Sequence, residues 1–141
     1  MTPDEHVALL RSKVDRADAM RALLGSVNAR ELRDVVVTEE VFQALVRGTR
    51  DPNPSIRWWS VQLLDHCPDV RAFDAIAPLL ADQVPRVRRN AAHALGCLGC
   101  KPALGACSDP EIIARLRESA ANDENAKVRR QATIALTAIS A

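Results

Sequence analysis

The sequence contains very few aromatic residues and no long apolar run. Phe, Trp and Tyr make up 3% of its 141 residues, and tyrosine is absent. This scarcity argues against a β-rich fold, because strands are enriched in aromatic residues. A net charge of +1 gives no strong overall attraction to nucleic acid or to an anionic membrane. No apolar run approaches the roughly 20 residues that a membrane-spanning helix needs.

The N-terminal segment also lacks a feature, namely the apolar core of a secretory signal peptide, in MTPDEHVALLRSKVDR. We therefore expect a cytoplasmic protein whose four cysteines are reduced. Ala, Leu, Val and Arg dominate the composition, and this mixture favours helices. The length suits one domain with a sizeable core.

Three stretches of the chain align with one another without gaps. They are DPNPSIRWWSVQLL from Asp51, DQVPRVRRNAAHAL from Asp82 and DENAKVRRQATIAL from Asp123. After each Asp come a β-branched residue, an Arg, a small residue and a Leu at fixed distances. The apolar positions fall on one face of a helix. Each stretch therefore predicts the second helix, here called B, of a helical hairpin.

Another apolar helical pattern precedes each aligned stretch and predicts a first helix, called A. We expect three hairpins, at 38–67, 68–107 and 108–141. Residues 1–37 do not match the repeat, although they carry a helical apolar stripe. An end repeat needs a cover for its apolar face, so we interpret 1–37 as an N-terminal helical cap.

The pattern D-x4-[IV]-R-x2-[AS]-x3-L resembles HEAT repeats of the short bacterial kind. This resemblance implies an all-α fold, a right-handed α-solenoid of about three HEAT-type helical hairpins. It also implies a ladder of Asp and Arg side chains between neighbouring repeats. The ladder residues would be Asp51, Arg57, Asp82, Arg88, Asp123 and Arg129.

In HEAT solenoids the B helices line the concave surface, so the resemblance implies a partner-binding face there. Trp58 occupies the outward position that Arg89 and Arg130 fill in the other repeats. Either Trp58 is an exposed binding hot spot beside these cations, or the N-terminal helices cover it. The residues expected at this face are Trp58, Arg86, Arg89, Lys127 and Arg130.

No arrangement of residues typical of catalysis is present in the sequence. There is no Gly-rich phosphate loop and no H-E-x-x-H motif, and the adjacent Asp65 and His66 should point apart. We expect a non-enzymatic scaffold that binds another protein. The alternative is a nucleic-acid-binding or DNA-repair HEAT-like protein, although few cations remain outside the ladder to contact phosphates.

Three of the four cysteines lie in HALGCLGCKPALGAC, residues 93–107. About ten extra residues separate the second and third repeats here, and His93, Cys97 and Cys100 share a helix face that points away from the core. With Cys107 they could supply four ligands to a structural zinc ion. The run is similar to an H-A-L-x-C-x2-C-K run of some bacterial HEAT-repeat proteins. Two alternatives stay open, namely cysteines used as small apolar residues and a redox-active pair.

Overall fold

The computed structural model describes residues 20, 34, 38–97 and 107–140, and within these ranges the chain is all-helical. Six α-helices form three consecutive pairs. They are α1 Glu39–Gly48, α2 Pro54–Leu64, α3 Arg71–Ile76, α4 Pro85–Gly96, α5 Pro110–Asn122 and α6 Ala126–Ser140. Helices α1, α3 and α5 are the predicted A helices, and α2, α4 and α6 are the predicted B helices. The all-α repeat solenoid expected from the sequence is thus confirmed.

Local sequence signals set the helix starts. The Asn53 side chain accepts a hydrogen bond from the Ser55 amide and caps α2, and Asp109 caps α5 through the amides of Glu111 and Ile112. A short polar side chain at this position satisfies amides that have no partner within the helix. Helices α2, α4 and α5 each begin with proline, which needs no hydrogen-bond acceptor for its nitrogen.

The second A helix is not a continuous α-helix. Helix α3 spans only six residues and continues as the 3-10 segment Ala77–Ala81. Pro78 lies in this segment, and its ring nitrogen cannot donate the hydrogen bond that would extend the α-helical pattern. The apolar pattern of the sequence indicated one helix here and did not distinguish the two helix types.

The core lies between the two layers of helices. The B helices pack side by side, α2 on α4 and α4 on α6, while α1 contacts α2 and α5 contacts α6. The small residues at the equivalent B-helix positions, Ser60, Ala91 and Ala132, are fully buried. Small side chains there let neighbouring helices approach closely, and larger apolar side chains such as Leu64 and Leu95 fill the space beside them.

Two features predicted from the sequence fall largely outside the described residues. The cap at 1–37 is represented only by Met20, which is buried in the hydrophobic core, and by the exposed Asp34. The extra residues between the second and third repeats, near Gly99 to Ser108, lie mostly in 98–106, which is also outside the described part of the chain.

Arginine side chains connect each repeat to the next. The Arg57 guanidinium donates to both carboxylate oxygens of Asp82, at 2.7 and 3.1 Å. Arg88 donates to both carboxylate oxygens of Asp123 in the same way, at 2.9 and 3.1 Å. Side-chain exposure is 15% and 6% for the first pair and 8% for both members of the second. These bidentate pairs lie where the resemblance placed the ladder.

Each ladder Arg also contacts the start of its own B-helix segment. Nη1 of Arg57 donates to the backbone oxygen of Asp51, and Nη1 of Arg88 donates to that of Asp82. Arg129 makes the equivalent bond to the backbone oxygen of Asp123. One guanidinium therefore holds both the turn before its own helix and the turn before the next B helix.

Gly96 lies at a close approach of the B helices α4 and α6. A Cβ atom at this position would lie 2.5 Å from both the Cα and the Cβ of Ala135 on α6. Helix propensity alone predicts that Gly96→Ala stabilises the protein by about 1 kcal/mol. We expect the opposite result, because backbone atoms cannot move aside cheaply and overpacking costs roughly 1–3 kcal/mol. Urea denaturation would measure the fall in the free energy of unfolding.

A matched control for Gly96→Ala lies on the partner helix. Thr133 is exposed on α6, and Thr133→Ala should change the free energy of unfolding by less than about 0.5 kcal/mol. If Gly96→Ala raised the stability by the amount that helix propensity predicts, this result would contradict the close contact between α4 and α6.

The ladder predicts a large effect for Asp82→Ala. This change removes the acceptor of the Arg57 pair and also the oxygen that accepts the Val84 amide at 2.9 Å. It leaves a largely buried guanidinium without its carboxylate. We expect the free energy of unfolding to fall by at least about 2 kcal/mol.

Asp109→Ala is the control for the loss of a capping carboxylate alone. Asp109 is exposed and caps α5 through two backbone amides, so its removal should cost about 1 kcal/mol. Equal losses for the two variants in thermal and urea unfolding would show that the ladder pair contributes nothing beyond the cap.

Candidate functional site

Charge is distributed unequally between the two layers of helices. Helices α2, α4 and α6 contain no Asp or Glu, whereas their cations are Arg57, Arg86, Arg88, Arg89, Lys127, Arg129 and Arg130. The A helices α1 and α5 carry both signs, with Glu39 and Glu111 in their first turns. The B helices therefore form a basic layer in a chain whose net charge is only +1.

The ladder uses three of these seven cations and leaves the four that the sequence assigned to the partner-binding face. Arg86, Arg89, Lys127 and Arg130 are all exposed. Arg86 donates to the Ser55 hydroxyl at 2.9 Å, which places it across from α2. We name these four residues the B-face cations.

Trp58 borders a groove among the B helices. The groove has a volume of about 210 Å³, and the residues that line it are Trp58, Arg86, Arg89, Asn90, His93 and Gln131. They come from α2, α4 and α6 together. The groove thus joins two of the B-face cations to an aromatic side chain, which is the combination that the sequence suggested for this face.

Trp58 itself is partly buried. The sequence left open whether it is an exposed hot spot or is covered by the N-terminal helices, and the observed burial is intermediate between these two. Its ring packs edge-to-face on Trp59, with centroids 4.7 Å apart and planes at 82°, and it packs against the hydrophobic core. The Asn90 side chain donates to the Trp58 backbone oxygen at 3.0 Å. Trp58 therefore holds α2 against α4 and also presents part of its ring to the groove.

Two of the four predicted zinc ligands lie together in the structure. His93 and Cys97, four residues apart at the end of α4, form a cluster with Asp65, and the three side chains each offer a ligand atom within 4.8 Å of the others. Cys107 is not in this cluster but is buried and borders a cavity with Val70 and Phe73 on the A-helix side. Cys100 lies outside the described residues.

Asp65 is the member of this cluster that the sequence did not reveal. Its Oδ2 lies 3.3 Å from Nε2 of His93, and only 1% of its side chain is exposed. Asp65 stands at the C-terminal end of α2, and the side chain of His93 that it contacts lies on the next B helix. An alignment of the C-terminal ends of the B helices in successive repeats could have predicted the Asp65–His93 contact.

A separate ionic cluster ties the first two A helices together and is not part of the basic layer. Arg71 on α3 donates to Glu39 on α1 and to Asp69, and its guanidinium lies 4.3 Å from the centre of the Phe42 ring. Hydrogen bonding by Arg71 lowers the pKa of Glu39 to about 2 and also lowers the pKa of Asp69. The same bonds raise the pKa of Arg71.

Among the described helices, none has both the length and the apolar character needed to cross a membrane. The longest of them, α6, has 15 residues and carries Lys127, Arg129 and Arg130 in its first two turns.

Solved structures with a similar fold include that of human deoxyhypusine hydroxylase in complex with glycerol. It is 24% identical, has a TM-score of 0.67, and aligns over 99% of this chain and 43% of its own. The crystal structure of an engineered protein is 19% identical, has a TM-score of 0.72, and aligns over 99% of this chain and 63% of its own. This chain thus spans less than two thirds of either protein, and at these identities the likeness shows the fold alone.

Sequence comparison gives the family. No curated protein matches the chain. HEAT repeats, however, match over residues 38–137, which is more than half of the chain and contains all six described helices up to the last turn of α6. The repeat pattern, the Arg–Asp ladder and this match agree, and the chain belongs to the HEAT-repeat family.

Proposed function

We propose that this chain is a non-enzymatic protein-interaction module that binds an acidic segment of a partner protein on its B-helix face. The observation that carries the proposal is the charge distribution. The described B helices carry seven cations and no carboxylate, and the ladder engages three of the seven.

The groove beside Trp58 supplies the second element of recognition. Interfaces gain most of their binding free energy from a few anchors, and Trp and Arg are the residues most enriched among them. Trp58 is held in place by Trp59 and by the helix contact through Asn90. A rigid aromatic edge loses little conformational entropy on binding. Arg89 and Arg86 at the rim would pair with carboxylates of the partner.

A nucleic-acid-binding function is the alternative, because the same cations could contact phosphates. Four exposed cations on a chain of net charge +1 make a weak phosphate-binding surface. The half-buried Trp58 also offers only part of its ring for base stacking. Both points favour a protein partner.

Charge reversal on the B face tests the proposal. The immobilised chain would capture partners from a lysate of the source cell, and the double variant Arg89→Glu with Arg130→Glu should lose them. Two reversals at exposed positions remove attraction and add repulsion, together worth roughly 1–2 kcal/mol, or about 5- to 30-fold in affinity. Trp58→Ala is a less clean test, because Trp58 also packs on the core.

Arg117→Glu with Arg115→Glu is the matched control, since both arginines are exposed on the A helix α5. This variant has the same net charge as the B-face variant and should retain the captured proteins. Equal loss in the two variants would contradict a specific B-face site and leave only a general charge effect.

A titration with labelled single-stranded DNA at two salt concentrations separates the two functions. The proposal predicts weak DNA binding that the B-face variant and the Arg115/Arg117 variant reduce alike. Tight binding that falls steeply with salt and depends on the B-face cations would favour the nucleic-acid function instead.

A further inference from the structure

We propose that Asp65, His93 and Cys97 form a binding site for a zinc-class divalent cation at the ends of α2 and α4. All three ligands belong to this chain, so the site exists whether or not the proposed partner binds. It differs from the ligand set that the sequence suggested, because Asp65 is a ligand and Cys107 is not.

The distances within the cluster are close to those between the ligands of a metal site. Zinc bonds of about 2.0–2.3 Å in tetrahedral geometry place neighbouring ligand atoms roughly 3.3–3.8 Å apart. Oδ2 of Asp65 and Nε2 of His93 are 3.3 Å apart, and all three ligand atoms lie within 4.8 Å of one another. Side-chain adjustments of about 1 Å would therefore complete the geometry.

Two neighbouring elements bring the ligands together. His93 and Cys97 are four residues apart, which places them one turn apart at the end of α4. Cys97 directly follows the last residue of α4, Gly96, and its backbone is already extended, with φ −82° and ψ 99°. Asp65 occupies the equivalent end of α2. The packing of α2 on α4 then fixes the carboxylate beside the imidazole.

The ligand types select the class of metal. A thiolate, an imidazole and a carboxylate are the three side-chain groups that commonly bind zinc. Calcium and magnesium prefer sites made of oxygen atoms alone, so a thiolate argues against them. Three protein ligands leave one position of a tetrahedral ion for water or for a group from another molecule.

Charge balance also favours a divalent cation here. When the metal binds, the Cys97 thiol loses its proton to solvent and Nε2 of His93 donates its lone pair. The two charges of the ion then match those of the carboxylate and the thiolate. No oxidation or reduction takes part.

Cobalt(II) titration of the reduced chain, made without a histidine tag and treated with a chelator, tests this site. Cobalt occupies zinc sites and shows a thiolate-to-metal absorption band when a cysteine binds it. We expect one equivalent of Co²⁺ to produce this band and one equivalent of Zn²⁺ to abolish it. Absence of the band in the folded wild-type chain would overturn the proposal.

Single variants test the ligand set. Cys97→Ser should remove the band, and Asp65→Asn should weaken Zn²⁺ binding by at least about tenfold, since even residues that only support metal ligands contribute 10- to 100-fold. His93→Gln should weaken binding similarly. It provides a second measurement at a side chain that is 43% exposed, in case Asp65→Asn does not fold.

Cys107→Ser is the control, because Cys107 is a buried cysteine that lies outside the cluster. It should leave the band and the Zn²⁺ affinity unchanged. Loss of binding in Cys107→Ser, with wild-type affinity in folded Asp65→Asn, would overturn this site in favour of the His and Cys set suggested by the sequence.

Discussion

Two largely buried ion pairs between repeats, Arg57 with Asp82 and Arg88 with Asp123, fix the register of the helical stack. Replacing a buried ion pair with apolar residues often costs little stability, so its main effect here is geometric. A bidentate guanidinium accepts only one orientation of the carboxylate. Each Arg also binds the turn before its own helix. The first residues of adjacent B helices therefore lie side by side. The residue after each ladder Arg then has the same place in its repeat, which is why Trp58, Arg89 and Arg130 occupy equivalent positions.

Close helix packing carries this register to the far ends of the B helices. Small residues at Ser60, Ala91 and Ala132 keep the helices near one another, and Gly96 lies directly against Ala135. Because α2 and α4 begin side by side and lie close together, the end of α2 contacts the last turn of α4. Asp65 and His93 face each other for this reason, although 28 positions separate them in the sequence. The same packing that stabilises the repeat thus builds a side-chain cluster on it.

The sequence predicted the structural features that follow from a periodic pattern of residues within one segment of the chain. The six helices and the spacing of the ladder residues follow from local patterns repeated three times. Features that depend on packing between repeats were missed. The Asp65–His93 contact joins two B helices, and so does the hydrogen bond from the Asn90 side chain to the Trp58 backbone oxygen. Pro78 could have indicated the 3-10 segment, since it removes a backbone donor.

His93 belongs both to the metal-ligand cluster and to the groove beside Trp58. A cation bound to the cluster would therefore change the charge at one edge of the proposed partner-binding face. A divalent ion that displaces the Cys97 proton adds one positive charge to this edge. The metal therefore favours an acidic partner, and by thermodynamic linkage the partner favours the metal equally.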